Sequence, residues 1–217
     1  IELYNAPFYI DFEKFEEANY NEAFREKLLE GKFENIVLYL GRLAPQKDIE
    51  TLLKAAKEHL KDNKNTLFLV VGDGPDGELA SDLVNELDIK NNVRLIGKVP
   101  YKDVIKYFLA SDLFAITSIY EGTCMVLHEA GICSLPVVAT DFAGAHDFVK
   151  NGENGYLVDI KDYRAFSEAI TKVLSDKEKL VKMGEKSKNR TKKYFSREKA
   201  LDKYGKMIDD LVLKGKY

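Results

Sequence analysis

TLFLVVGDGP, residues 66–75, is apolar without interruption from Leu67 to Val71 and then stops on Gly72. A strand with one wet face alternates apolar and polar side chains. An unbroken run instead implies burial on both faces, as in a parallel sheet covered by helices. NIVLYLG (35–41) precedes it, and NVRLIG (92–97), LFAITS (113–118), PVVAT (136–140) and GYLVD (155–159) continue the series, with helix-period segments following the first three strands. The pattern predicts an α/β fold: a doubly wound, mostly parallel sheet of about six strands covered by helices.

The helices have readable ends. Asp48 can cap a segment in which Ile49, Leu52, Leu53, Ala56 and Leu60 share one face, and Asp162 precedes another with Phe166, Ala169, Ile170, Val173 and Leu174. Ser175 with Glu178 forms a capping-box pattern for the next helix. No strand signal follows residue 158, so the chain from about residue 162 is expected to be a helical C-terminal segment.

Composition narrows the partners. With 33 Lys+Arg against 36 Asp+Glu, the formal charge of −3 lacks the basic excess that phosphate-backbone binding needs, so nucleic acid is not expected. No apolar run approaches the roughly 18 residues that span a bilayer, and no leader pattern opens the chain. Peripheral attachment to a membrane stays open. The Lys-rich stretch 177–193 could serve it, although its acidic neighbours and helical spacing favour an ordinary solvated face. Cys124 and Cys133 read as members of one helix, beyond disulfide reach, which points to a reducing, cytoplasmic setting. Residue 1 is Ile, and the opening IELYNAPFYIDFEKF reads as a loop entering a domain, so a piece of a longer protein is expected.

In open parallel sheets, ligands sit beyond the carboxyl ends of the strands. Three of the loops there are unusual. Gly41-Arg42-Leu43-Ala44-Pro45-Gln46-Lys47 places a guanidinium fork and an ammonium around one turn, which suits a diphosphate as well as it suits solvent. Gly72-Asp73-Gly74-Pro75-Asp76-Gly77 matches G-x-G-x-x-G. That fingerprint belongs in the first βαβ unit, with an acidic residue at the end of the next strand, and here that place is Gly97-Lys98. The glycines are therefore assigned to a tight turn close to a ligand or another backbone.

The third loop, Ser118 to Met125, runs from LFAITS into MVLHEAGI and includes Gly122, Thr123 and Cys124. Unpaired N–H groups at the helix start welcome an anion, and Gly122 permits close approach. Glu121 and Glu129 flank that start and suit vicinal hydroxyls, or are solvated helix glutamates. On one continuous helix they lie about 12 Å apart, too far for a hydrolase pair at about 5–9.5 Å. Such spacing fits a grip on two ends of one ligand.

GRLAPQKD (41–48), the VGDGP turn, YEGTCMVLHEAGICSLPVVATD (120–141) and NGENGYLV (151–158) together resemble the C-terminal, donor-binding half of a family 4, GT-B-fold retaining glycosyltransferase. The resemblance covers nearly the whole chain. It implies that residues 1–34 are an interdomain lead-in with a first helix, that residues 35–217 form the Rossmann-like nucleotide-sugar domain, and that an N-terminal acceptor domain is absent from this sequence. It implies further that Arg42 and Lys47 bind the donor diphosphate and stabilise the leaving group, that Glu121 lies by the transferred sugar, and that Glu129 holds the ribose. Gly41, Gly72 and Gly74 would face the donor, the amides from Gly122 through Thr123 and Cys124 to Met125 would contact sugar and phosphate, and Lys98 and Val99 would face the base. The donor would be a UDP-, GDP- or ADP-sugar, with no cofactor and no metal. No Asp-x-Asp element is present. The chain alone is expected to bind donor without turnover.

The sequence departs from the family at Ser134, where a glycine is usual, and at Ala143 and Asp147, where glycine and glutamate are common. His59, His128 and His146 are read as structural or surface residues, and neither cysteine has a base partner that would make it a nucleophile. Two other readings stay open, a non-catalytic nucleotide-binding or interaction domain and an NAD-linked oxidoreductase domain.

Overall fold

The computed structural model describes residues 12–213. Most of the lead-in sequence, residues 1–11, lies outside the described residues. The elements follow one another as α1 (Phe12–Glu16), α2 (Glu22–Leu29), β1 (Asn35–Leu40), a 3-10 turn (Pro45–Lys47), α3 (Ile49–His59), β2 (Thr66–Val71), α4 (Gly77–Glu86), β3 (Val93–Gly97), α5 (Tyr101–Ala110), β4 (Leu113–Ile116), α6 (Met125–Ile132), β5 (Val137–Thr140), α7 (Ala143–Phe148), β6 (Gly155–Val158), α8 (Tyr163–Leu174), α9 (Lys177–Phe195) and α10 (Arg197–Leu213).

The strands form one six-stranded sheet in the order β3-β2-β1-β4-β5-β6, and every pairing is parallel. Burial follows position in the sheet. All residues of β2, β4 and β5 are buried, whereas the outermost strand β3 is only partly covered. There Arg94 pairs with Glu30 at 2.9 Å instead of packing inward. The lead-in helix α2 is tied to the same sheet, since Arg25 pairs with Asp112 at 2.9 Å and Asp112 also accepts from the Ile36 N–H.

Asp48 caps α3 and Asp162 caps α8, as their spacing predicts. The capping box of Ser175 does not form. Asp176 is the N-cap of α9, accepting from the Lys179 N–H at 3.0 Å, and Ser175 instead ends α8. A carboxylate one residue on competes for the same amides, and yielding the position lets α8 bury Val173 and Leu174. Helix α9 presses its small face onto α6: Gly131 lies so close that a Cβ there would stand 2.3 Å from Thr191 Oγ1.

His59 is buried between Thr171 Oγ1 at 2.8 Å and Thr66 Oγ1 at 3.0 Å, which ties α3 to α8 and β2. His128 is buried between the rings of Phe148 and Phe195. Burial lowers both imidazoles to about 4, with the Arg190 charge adding to the effect at His128.

Ser134 explains its own oddity, because its φ of +61° is a left-handed conformation that suits the glycine usual there and costs a side chain about 1 kcal/mol. Ser134→Gly is expected to raise the thermal midpoint by about 2–4 °C, and an unchanged midpoint in calorimetry would refute this account. The two histidines also set a pH dependence. An unfolded imidazole binds its proton near pH ~6.5, while the folded ones resist protonation until about 4, so stability is complete above pH ~6.5 and falls between there and about 4. Urea unfolding across that window checks this, and His128→Leu is expected to reduce the slope.

Candidate functional site

The strand order reverses at β1, because β2 and β3 lie on one side of it and β4 to β6 on the other. All strands point the same way, so the loops after β1 and β4 leave the same edge, the one beyond which ligands of open parallel sheets sit. Short bonds stitch these two loops together. The Thr117 hydroxyl donates to the carbonyls of Lys47 and Asp48 at 3.0 and 2.9 Å, and the Ile119 N–H donates to Gln46 O at 2.8 Å. Thr140, at the end of β5, adds a bond to Ser118 O.

Within this frame Lys47 Nζ and Glu121 Oε1 stand 2.6 Å apart, with side chains only 13% and 12% exposed. Ser118 Oγ donates to the same carboxylate oxygen. A pair so dry must be well bonded, because stripping water from an unpartnered charge costs several kcal/mol. The reading of Glu121 as a solvated helix residue is thereby corrected. It does not lie on the helix at all: α6 begins at Met125, so the separation computed for a continuous helix does not apply. Glycine at position 122 and the polar residues of the loop keep Glu121 in irregular backbone, where it can reach back to Lys47.

Arg42, on the same loop as Lys47, is exposed, and its carbonyl accepts from Tyr39 OH at 3.2 Å. It lines a cleft of about 400 Å³ with Gly41, Gly72, Gly74, Lys98 and Val99, all expected from sequence, and with Leu40, Asp73 and Val104, which sequence reading missed. Val104 lies on the first turns of α5, where its apolar character looks like ordinary core. The glycine turn is set by backbone packing. Gly72 has a φ of +135° and a Cβ on it would stand 1.9 Å from Gly41 O, while one on Gly74 would stand 2.1 Å from Leu43 O. These glycines let the β1 and β2 loops touch, which shapes the cleft wall.

Gly122 and Thr123 are exposed, Cys124 is buried, and Met125 is half-buried at the start of α6. The Cys124 thiol is pushed far above its ordinary range by burial and by the Glu121 charge, so it stays protonated. Gly144 comes close to the same loop, its Cβ position lying 2.6 Å from Gly122 O, whereas the neighbouring Ala143 is exposed. His146 is exposed and lies 2.9 Å from Asp141. Glu129 is half-buried on α6 and accepts from Tyr101 OH at 3.0 Å. Burial raises its pKa and the phenol bond opposes that rise. The two glutamates thus have separate partners, Lys47 for one and Tyr101 for the other. Among the described residues, no three His, Cys, Asp or Glu side chains are arranged to hold a metal ion.

A six-stranded parallel sheet with a carboxyl-edge crevice of this kind is the Rossmann-like half of a GT-B fold. The chain belongs to the family of glycosyl transferases group 1, which matches residues 21–190. It is 30% identical, over 94% of its length and 53% of the relative's, to the UDP-Gal:alpha-D-GlcNAc-diphosphoundecaprenol alpha-1,3-galactosyltransferase of Escherichia coli. Its fold superposes on the sucrose-phosphate synthase of Thermosynechococcus elongatus with a TM-score of 0.82 at 27% identity, covering 96% of this chain and 52% of that one. It superposes also on the C-terminal domain of a glycosyl transferase group 1 family protein from Francisella tularensis, with a TM-score of 0.73 at 20% identity, over 87% of this chain and 99% of that one. The chain spans about half the length of the first two proteins.

The Lys47–Glu121 pair makes a stability prediction. Glu121→Ala leaves a buried ammonium without its counter-charge and is expected to cost about 3 kcal/mol in urea unfolding. Adding Lys47→Ala to that variant is expected to cost less than Lys47→Ala alone. Strict additivity in the double-mutant cycle would show that the pair is not coupled.

Proposed function

We propose that this chain is the donor-binding half of a family 4 retaining glycosyltransferase. The enzyme moves a hexose-type sugar from a UDP-, GDP- or ADP-sugar to an acceptor held by an N-terminal domain. One observation supports this most directly: Arg42, the glycine turns, Lys98 and Val99 line one cleft, and the loop that carries Arg42 is joined by the buried Lys47–Glu121 pair to the loop after β4, where the strand order reverses.

Arg42 makes no side-chain hydrogen bond or ion pair among the described residues, and its planar fork is available to the donor diphosphate. The Lys47 ammonium has three N–H donors and Glu121 takes one, so the remaining donors can face phosphate. As the sugar–phosphate bond breaks, negative charge grows on the departing diphosphate. Cations already fixed in place stabilise that state more than the ground state, without a metal. The amides of Gly122, Thr123, Cys124 and Met125 at the start of α6 add the positive end of a helix dipole. Glu121, oriented by Lys47 and Ser118, lies toward the transferred sugar. Glu129 holds the ribose hydroxyls, and Gly41, Gly72 and Gly74 allow the donor close to the backbone.

This half supplies the grip, and the acceptor and the closure of the cleft come from the other domain. Polysaccharide or glycolipid synthesis in the cytoplasm, with peripheral attachment at a membrane, fits the reading. The Escherichia coli relative is named for a diphosphoundecaprenol acceptor, and no described helix here is long and apolar enough to cross a membrane.

Calorimetric titration of the 217-residue chain with UDP-, GDP- and ADP-sugars and with NAD tests the proposal. Saturable binding of a sugar nucleotide, but not of NAD, is expected. NAD binding without sugar-nucleotide binding would overturn it. In the protein carrying both domains, Arg42→Ala and Glu129→Ala are each expected to lower transfer by about 100-fold or more with an unchanged melting point. Unchanged turnover in both would refute the residue assignment.

A further inference from the structure

Tyr101 is the first residue of α5 and one of the most exposed aromatic side chains, at 60%. Its hydroxyl nevertheless reaches across to α6 and donates to Glu129 Oε1 at 3.0 Å. No other side-chain hydrogen bond to that carboxylate is present among the described residues. Val99, two residues before Tyr101, and Val104, three after it, both line the Arg42 cleft. The bond therefore joins the loop that shapes one cleft wall to the carboxylate placed at the ribose. Nothing in the sequence marks Tyr101 for this, because an aromatic residue opening a helix reads as packing.

We infer that Tyr101 is a positioning residue for donor recognition, holding Glu129 in one rotamer through Oε1 and leaving Oε2 to accept from the ribose diol. The inference rests on the donor-binding reading given above. A carboxylate has about four lone-pair sites, so a phenol and two ribose hydroxyls can be bonded together. Half-burial shifts Glu129 toward the protonated acid, which would donate where the carboxylate accepts. The phenol donor opposes that shift by favouring the charged, accepting form. Among the described residues, Cys133, the C-cap of α6, is a titratable group that feels the Glu129 charge. Burial and the Glu129 charge hold its thiol up at about 12, and Lys188 of α9 opposes them. It does not titrate near neutrality.

The test uses Tyr101→Phe, which removes only the hydroxyl from an exposed ring, with circular dichroism to confirm folding. Binding of UDP, GDP and ADP, and of their 2′,3′-dideoxy analogues, is measured from pH 5 to 8. For the nucleotide that binds wild type, Tyr101→Phe is expected to weaken affinity by about threefold to tenfold, and the loss to shrink below about twofold for the dideoxy form. Loss of binding on acidification is expected to begin at higher pH in the variant. In a Glu129→Ala background, which removes the acceptor, Tyr101→Phe is expected to change affinity by less than about twofold. Equal losses for ribose and dideoxy forms, or unaltered binding, would overturn the inference. Carbon-13 NMR of the ligand-free chain separates this from failure of the donor reading. Glu129 should titrate at higher pH in Tyr101→Phe, and an unmoved midpoint overturns the phenol–carboxylate coupling whichever nucleotides bind.

Discussion

A buried ion pair, Lys47 with Glu121, joins the loops that follow β1 and β4, where the strand order of the sheet reverses. Everything around it serves to make that pair affordable in a dry place. Thr117 and Ile119 lash the two loops together through backbone carbonyls, so the cation is delivered to the carboxylate instead of wandering into water. Ser118 donates to the same carboxylate oxygen, so two donors hold that oxygen in place. A cation held in this way keeps one position, because its loop and its counter-charge are both fixed.

The walls of the cleft depend on how closely backbones approach. Gly72 and Gly74 lie where any side chain would collide with the carbonyls of Gly41 and Leu43. The glycine-rich turn is thus a contact between two loops of the protein, and through that contact it shapes one wall of the cleft. Gly144 plays a similar part against Gly122, which accounts for glycine there while the exposed neighbour is Ala143. These glycines are required by the packing of backbone against backbone.

Much of the sheet was legible because burial on both faces leaves a mark that survives in one dimension: the runs 36–40 and 67–71 carry no charged residue. The same holds for the caps of α3 and α8, where an aspartate stands just before an apolar face. Ser175 misled because two adjacent residues could both cap, and only the packing of α8 chose between them. Glu121 misled for a related reason. A segment that can continue a helix does so only if its tertiary contacts allow, and the bond to Lys47 holds it out.

By itself the sequence determined the parallel sheet, its approximate strand number, the loops at its carboxyl edge and the residue types gathered there. Periodicity and composition are local, and they reach as far as an element or a turn. Only the tertiary structure decided who faces whom: Lys47 with Glu121 across 74 positions, and Tyr101 with Glu129 across 28. It alone also turned the glycine turn toward the loop after β1. Such pairings depend on where the strands lie in the sheet, and strand order is fixed by the packing of the whole chain, which no single segment encodes.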